Sequence, residues 1–157
     1  MKTLLALAAA LAATACADLP VAPSARPPPP PQRAPTYADG ALQLPGAVRS
    51  PSGMVLVPIL EGTGPSPRPR DTVKVNYRGR LEDGTVFDSS ESHGGPTEFR
   101  VDKVVPCWTE GLQRMKVGGK ARLVCPPSIA YGERGVPGSI PPDATLDFEV
   151  ELVEIVK

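Results

Sequence analysis

Residues 72–90 carry the pattern that most narrows what this chain can fold into. From Thr72 to Leu81 the side chains alternate: Val73, Val75 and Tyr77 point one way, Lys74, Asn76 and Arg78 the other. A period of two over this length belongs to a strand with one buried and one wet face. Asp83–Gly84 then supplies a turn, and the aromatic-acidic pair Phe87–Asp88 follows within the same short run. The alternation recurs in Ala121, Leu123 and Cys125. It is clearest at the C-terminus, where Leu146, Phe148, Val150 and Leu152 are opposed by Asp147, Glu149 and Glu151. Phe99 and Val101 suggest a further short strand. Met54–Leu60 reads as another, placed at a sheet edge because Pro58 cannot donate to a ladder.

One helix is predicted. Pro106 suits its first turn, Trp108, Leu112 and Met115 recur at i, i+4 and i+7, and Gly118 is placed to end it. Half-buried strands with a single short amphipathic helix imply an α+β fold, an antiparallel sheet curled over that helix. With 157 residues there is room for one such domain, expected over residues 51–157.

The first third has a different composition. Ten of the 21 prolines precede residue 52, five of them in the run Pro27–Pro31. Residues 1–15 read as a signal peptide: Lys2, an apolar run from Leu4 to Ala13 too short to span a bilayer, then the small residues Ala13–Thr14–Ala15. Cys16 follows directly, as in a bacterial lipoprotein whose acylated cysteine becomes the mature N-terminus. The same triplet also suits an ordinary signal peptidase. Both readings give an exported product, in the periplasm or lipid-anchored at the outer membrane of a bacterial envelope. Residues 16–50 show no hydrophobic period and read as a Pro-rich flexible linker.

The formal net charge of zero gives no support to a nucleic-acid partner. No cofactor is expected, and no metal site, because the sole histidine, His93, lies in a Gly-rich loop without a partner at ligand spacing. It is read as a solvated loop residue. With Cys16 lipidated, Cys107 and Cys125 remain as an even pair in an oxidising compartment. A bridge between them and two buried thiols are both open.

Three separated motifs occur in one order: Tyr77 to Phe87–Asp88–Ser89–Ser90, then Trp108, then Ala130–Tyr131–Gly132 with Ile140–Pro141–Pro142. In these motifs the chain resembles the FKBP-type peptidyl-prolyl cis-trans isomerases, over roughly residues 52–157. The resemblance implies that Tyr77, Phe87, Phe99, Trp108, Tyr131 and Phe148 gather around one apolar pocket, with Trp108 as its floor and Val104, Val105 and Ile140 completing its walls. It further implies that Asp88 faces the twisting amide, that the Tyr131 hydroxyl donates to a substrate carbonyl, and that the Val105 N–H holds the peptide. Gly132–Pro142 reads as a flap over the pocket. Thr97 stands where the family often has another aromatic.

The implied activity is isomerisation of X-Pro bonds during folding of exported proteins. The alternative is a membrane-tethered chaperone or adhesin module that binds Pro-containing segments without turnover. Pro-containing polypeptides are the expected partners, and the resemblance adds macrolides such as rapamycin. A monomer is expected, since residues 17–50 lack the helical period of the family's dimerising domains.

Overall fold

The structure, a computed structural model, describes residues 36–156. The expected signal peptide, Cys16 and the Pro27–Pro31 run lie outside the described residues.

Seven strands form one antiparallel sheet: β1 (Val48–Arg49), β2 (Val55–Leu60), β3 (Thr72–Leu81), β4 (Val86–Ser89), β5 (Thr97–Arg100), β6 (Lys120–Cys125) and β7 (Leu146–Val156). Their order is β1-β2-β6-β7-β3-β4, and β5 pairs with the first half of β3 while β4 pairs with its second half. The alternation read from the sequence is the alternation of burial. Val73, Val75 and Tyr77 are buried on the inner face, as are Ala121, Leu123 and Cys125, and Leu146, Phe148, Val150 and Leu152. Pro58 is opposite Ala121, and the register slips between Pro58 and Leu60. Only the two residues of β1 pair on the far side of β2, so the proline stands next to the edge, where a missing donor costs least.

The inner face closes over the predicted helix, α2 (Pro106–Gln113), which buries Cys107, Trp108, Gly111 and Leu112. Gly111 permits this approach: a Cβ there would lie 2.6 Å from Leu123 Cδ1. Cys107 in its first turn is joined to Cys125 at the end of β6, with a Cα–Cα distance of 5.8 Å. The helix start is thereby held to the strand that precedes the Tyr131 flap.

Residues 36–50, expected as the end of a flexible linker, are folded. Thr36 caps a five-residue helix, α1 (Tyr37–Ala41), through a capping box with Asp39. Ala38 and Ala41 pack with Val55, Val57 and Val124 in a second small core. Tyr37 Oη donates to Asp147 Oδ2 at 2.8 Å and accepts from Arg122 Nη2 at 2.7 Å. Arg122 in turn holds Asp147 through both Nε and Nη2, at 2.8 and 2.6 Å. Folded structure is therefore present about fifteen residues before the expected boundary, because one tyrosine and two alanines find a buried patch on the sheet's outer face.

Candidate functional site

All six aromatic side chains expected in one pocket line a cleft of about 550 Å³ on the inner face of the sheet. That volume is in the range of small-ligand sites. Each ring is placed by a different element. Tyr77 comes from β3, Phe87 from β4, Phe99 from β5, Phe148 from β7, Trp108 from α2 and Tyr131 from the loop after the 3-10 turn Pro127–Ile129. Trp108 is nearly fully buried and meets Tyr77, Phe99 and Phe148 edge to face, at centroid distances of 5.3, 5.6 and 5.2 Å. Such T-shaped contacts satisfy ring quadrupoles and fix the orientation of the indole beneath the cleft.

Gly79 makes this cluster possible. It pairs with Phe148 on one side and Asp88 on the other. A Cβ there would lie 2.5 Å from Phe87 Cζ and 2.9 Å from Phe148 Cε1. A glycine inside a long strand weakens it unless something must approach closely, and here two rings do. Phe87 and Phe148 meet at 5.5 Å over it.

Asp88 sits at the mouth with its side chain about two-fifths exposed. Its Oδ1 accepts from Ser89 N at 2.8 Å and faces His93 Nε2 at 2.9 Å, and its Oδ2 accepts from Tyr77 Oη at 2.9 Å. Burial first, and then the Asp88 carboxylate, push the Tyr77 phenol well above its ordinary value, so it remains a donor at any physiological pH. Tyr131 is also raised, by burial and then by the charge of Asp88. Its ring is partly exposed at the rim.

Val104 and Val105 line the cleft as expected. Ile140 does not. It is buried in the main core and bridges Val136 through a pair of 2.8 Å backbone hydrogen bonds. His93, read as a solvated loop residue, is exposed and ends a 3-10 turn (Ser90–His93) that also brings its ring back to Asp88. Thr97 and Lys103 also line the cleft. Thr97 was accessible from the period of two that includes Phe99. Lys103 lies in an irregular turn where no period points.

No group of His, Cys, Asp or Glu able to hold a metal occurs among the described residues. The chemistry available is an apolar cleft, one carboxylate and hydrogen-bond donors.

Comparison with known proteins gives the same architecture a lineage. The family model for FKBP-type peptidyl-prolyl cis-trans isomerase matches residues 64–153. The chain is 51% identical over 110 residues to the FKBP-type peptidyl-prolyl cis-trans isomerase FkpA of Escherichia coli K12, covering 70% of this chain and 40% of that protein. It is 47% identical over 113 residues to the outer membrane protein MIP of Legionella longbeachae, covering 72% of this chain and 48% of that one. The chain thus spans about half the length of these curated relatives or less. Among solved structures, that of FkpA from Escherichia coli superposes with a TM-score of 0.73 at 47% identity, over 76% of this chain and 55% of that one. A peptidyl-prolyl cis-trans isomerase from Pseudomonas syringae pv. tomato superposes at 0.72 and 39%, over 77% of this chain and 89% of that one. Since the matched residues take in Asp88 and all six rings of the cleft, the chain belongs to the FKBP-type peptidyl-prolyl cis-trans isomerase family.

Proposed function

We propose that this chain accelerates rotation about X-Pro peptide bonds in other polypeptides, with a proline ring seated over Trp108. The single observation that carries this reading is the convergence of six rings on one cleft whose mouth holds a carboxylate. The uncatalysed bond must lose amide resonance as it twists, a barrier of about 18–20 kcal/mol, and it relaxes over tens to hundreds of seconds. No bond is made or broken, so no nucleophile, cofactor or metal is required. A planar amide is more dipolar than a twisted one. An apolar cleft therefore favours the twisted form relative to the planar one, and only such a difference raises the rate.

In this reading Tyr77, Phe87, Phe99, Val104, Val105, Trp108 and Phe148 bind the proline. Asp88 faces the twisting amide, and Tyr131 donates to a substrate carbonyl. Tyr77 gains a second role, holding the Asp88 carboxylate in place through the 2.9 Å bond. Ile140 supports the flap from within the core.

We further infer an exported protein. The features of residues 1–15 and the small residues before Cys16 support export, with lipidation at Cys16 as the anchor. The name of the Legionella longbeachae relative, an outer membrane protein, agrees with an envelope location. No helix among the described residues is long and apolar enough to cross a membrane. Macrolide binding in the same cleft and a monomeric state belong to this proposal.

Interconversion of a Leu-Pro peptide, followed by NMR exchange, tests the activity. Asp88→Ala is expected to reduce kcat/KM by about 10- to 100-fold, the range for losing a charged polar contact, and Tyr131→Phe by about 2- to 10-fold. Wild-type rates equal to those in buffer, with peptide still bound, would leave a binding module in place of an isomerase.

A further inference from the structure

We propose that the cleft selects prolines adjoined by an acidic residue, and that Lys103 reads the carboxylate. This rests on the isomerase reading above and adds its substrate class.

Besides its tyrosines, the ionisable side chains lining the cleft are Asp88, His93 and Lys103. The carboxylate is already occupied by donors on both oxygens: Ser89 N and His93 Nε2 on Oδ1, Tyr77 Oη on Oδ2. Because a carboxylate oxygen can only accept, the His93 nitrogen facing it carries a proton. These donors fix the Asp88 carboxylate in place without cancelling its charge, and in the isomerase reading that charge faces the proline's own amide.

Lys103 differs. It is exposed at the end of the 3-10 turn Val101–Lys103, whose first residue is buried. The nearest acid along that turn, Asp102, is paired with Arg100 at 2.9 Å. Among the described residues no ion pair engages Lys103, so its ammonium is a cation at the mouth free to pair with substrate. Two residues further on, the Val105 N–H donates to no acceptor among the described residues, although the residue lines the cleft. A substrate carbonyl held by that N–H brings the side chain next to the proline past Lys103. An acidic side chain there gains an ion pair, a basic one meets a like charge, and a neutral one meets neither. For charges about 4 Å apart in water the attraction is worth roughly five-fold in affinity, and salt screens it.

The test uses the whole chain and two peptide series, Ala-Leu-Pro-X and Ala-X-Pro-Leu, with X as Glu, Gln or Lys. Binding is read from the fluorescence of Trp108, the only tryptophan, and turnover from NMR exchange. In at least one series the Glu peptide is expected to bind about five-fold more tightly than the Gln peptide, and the Lys peptide more weakly than the Gln peptide. The gap should close at about 0.5 M salt, where the screening length falls to a few ångströms. Lys103→Gln should abolish the order and Lys103→Glu should reverse it. Equal affinities in both series, or an order that survives Lys103→Glu, would overturn the proposal. Turnover without charge order removes the selectivity and leaves the isomerase. Charge-ordered binding without turnover removes the isomerase and leaves the selectivity.

Discussion

The two faces of the sheet are built by the same strands, yet different forces specify them. On the inner face β3, β6 and β7 bury aliphatic and aromatic side chains against α2, and the six rings open into the cleft. On the outer face the intervening residues form stripes of opposite charge. Lys74 meets Glu154 at 3.5 Å, Arg80 meets Glu149 at 3.4 Å, and Lys120 meets Glu149 from the other side at 2.5 Å. Exposed pairs of this kind contribute about 0–1 kcal/mol each, whereas a buried aliphatic or aromatic side chain contributes about 1.5–3 kcal/mol. The inner face holds the fold together, and the outer face keeps it wet and in register.

One part of the outer face breaks this rule. Beneath α1 the ion pair Arg122–Asp147 is roofed by Tyr37, and the Asp147 side chain is only 5% exposed. Arg122→Met isolates that carboxylate. Removing one partner of a buried pair costs about 3–5 kcal/mol, although Tyr37 would still donate to Asp147. We expect a loss near the lower bound, about 3 kcal/mol, read from urea unfolding. A loss below about 1 kcal/mol would mean that this pair behaves like the exposed ladder beside it.

The inner face offers two matching tests. Replacing Cys107 and Cys125 together by Ala opens a loop with a sequence separation of 18, which corresponds to about 3 kcal/mol by loop-closure entropy. Thermal unfolding with and without reductant should show the same loss in the wild type and none in the variant. Gly79→Ala drives a methyl group into Phe87 and Phe148. Overpacking of this kind costs about 1–3 kcal/mol, and the displaced rings should lower kcat/KM as well. Normal turnover with unchanged stability would show that the rings are less tightly held than their distances imply.

These tests also mark how far the sequence could be read. The inner faces of β3, β6 and β7 were legible because a period of two has one interpretation when one side is buried. The order of the strands was not, since it depends on pairings between residues far apart in sequence, as between Tyr77 and Val150. The cleft was legible through the family's motifs. Periodicity alone describes six core aromatics and cannot show that they converge. The helix α1 was missed because five residues are too few for a helical period, although Thr36 and Asp39 carry the spacing of a capping box. The contact of His93 with Asp88 was missed because the two lie five residues apart around a 3-10 turn, a separation that neither helical nor strand spacing brings together.

The smallest expected effect bears most directly on the contrast between the faces. Glu149 is held below its ordinary value of 4.5, first by the hydrogen bond from Lys120 and then by that charge and those of Arg80 and Arg78, with burial opposing. A carboxylate depressed in the folded state contributes stability that is present above its unfolded value and is lost as pH falls through its folded value. With its side chain about a third exposed, the contribution belongs with surface pairs, below about 1 kcal/mol. Glu149→Gln should therefore be slightly destabilising at pH 7, and the difference from wild type should vanish at about pH 2, where both side chains are neutral. Gly79→Ala should show no such convergence, because no proton is taken up when two rings are pushed apart. Urea unfolding of the two variants at both pH values separates the faces. A pH-independent loss for Glu149→Gln would mean that this glutamate contributes by packing, and that the outer face is not held by charge.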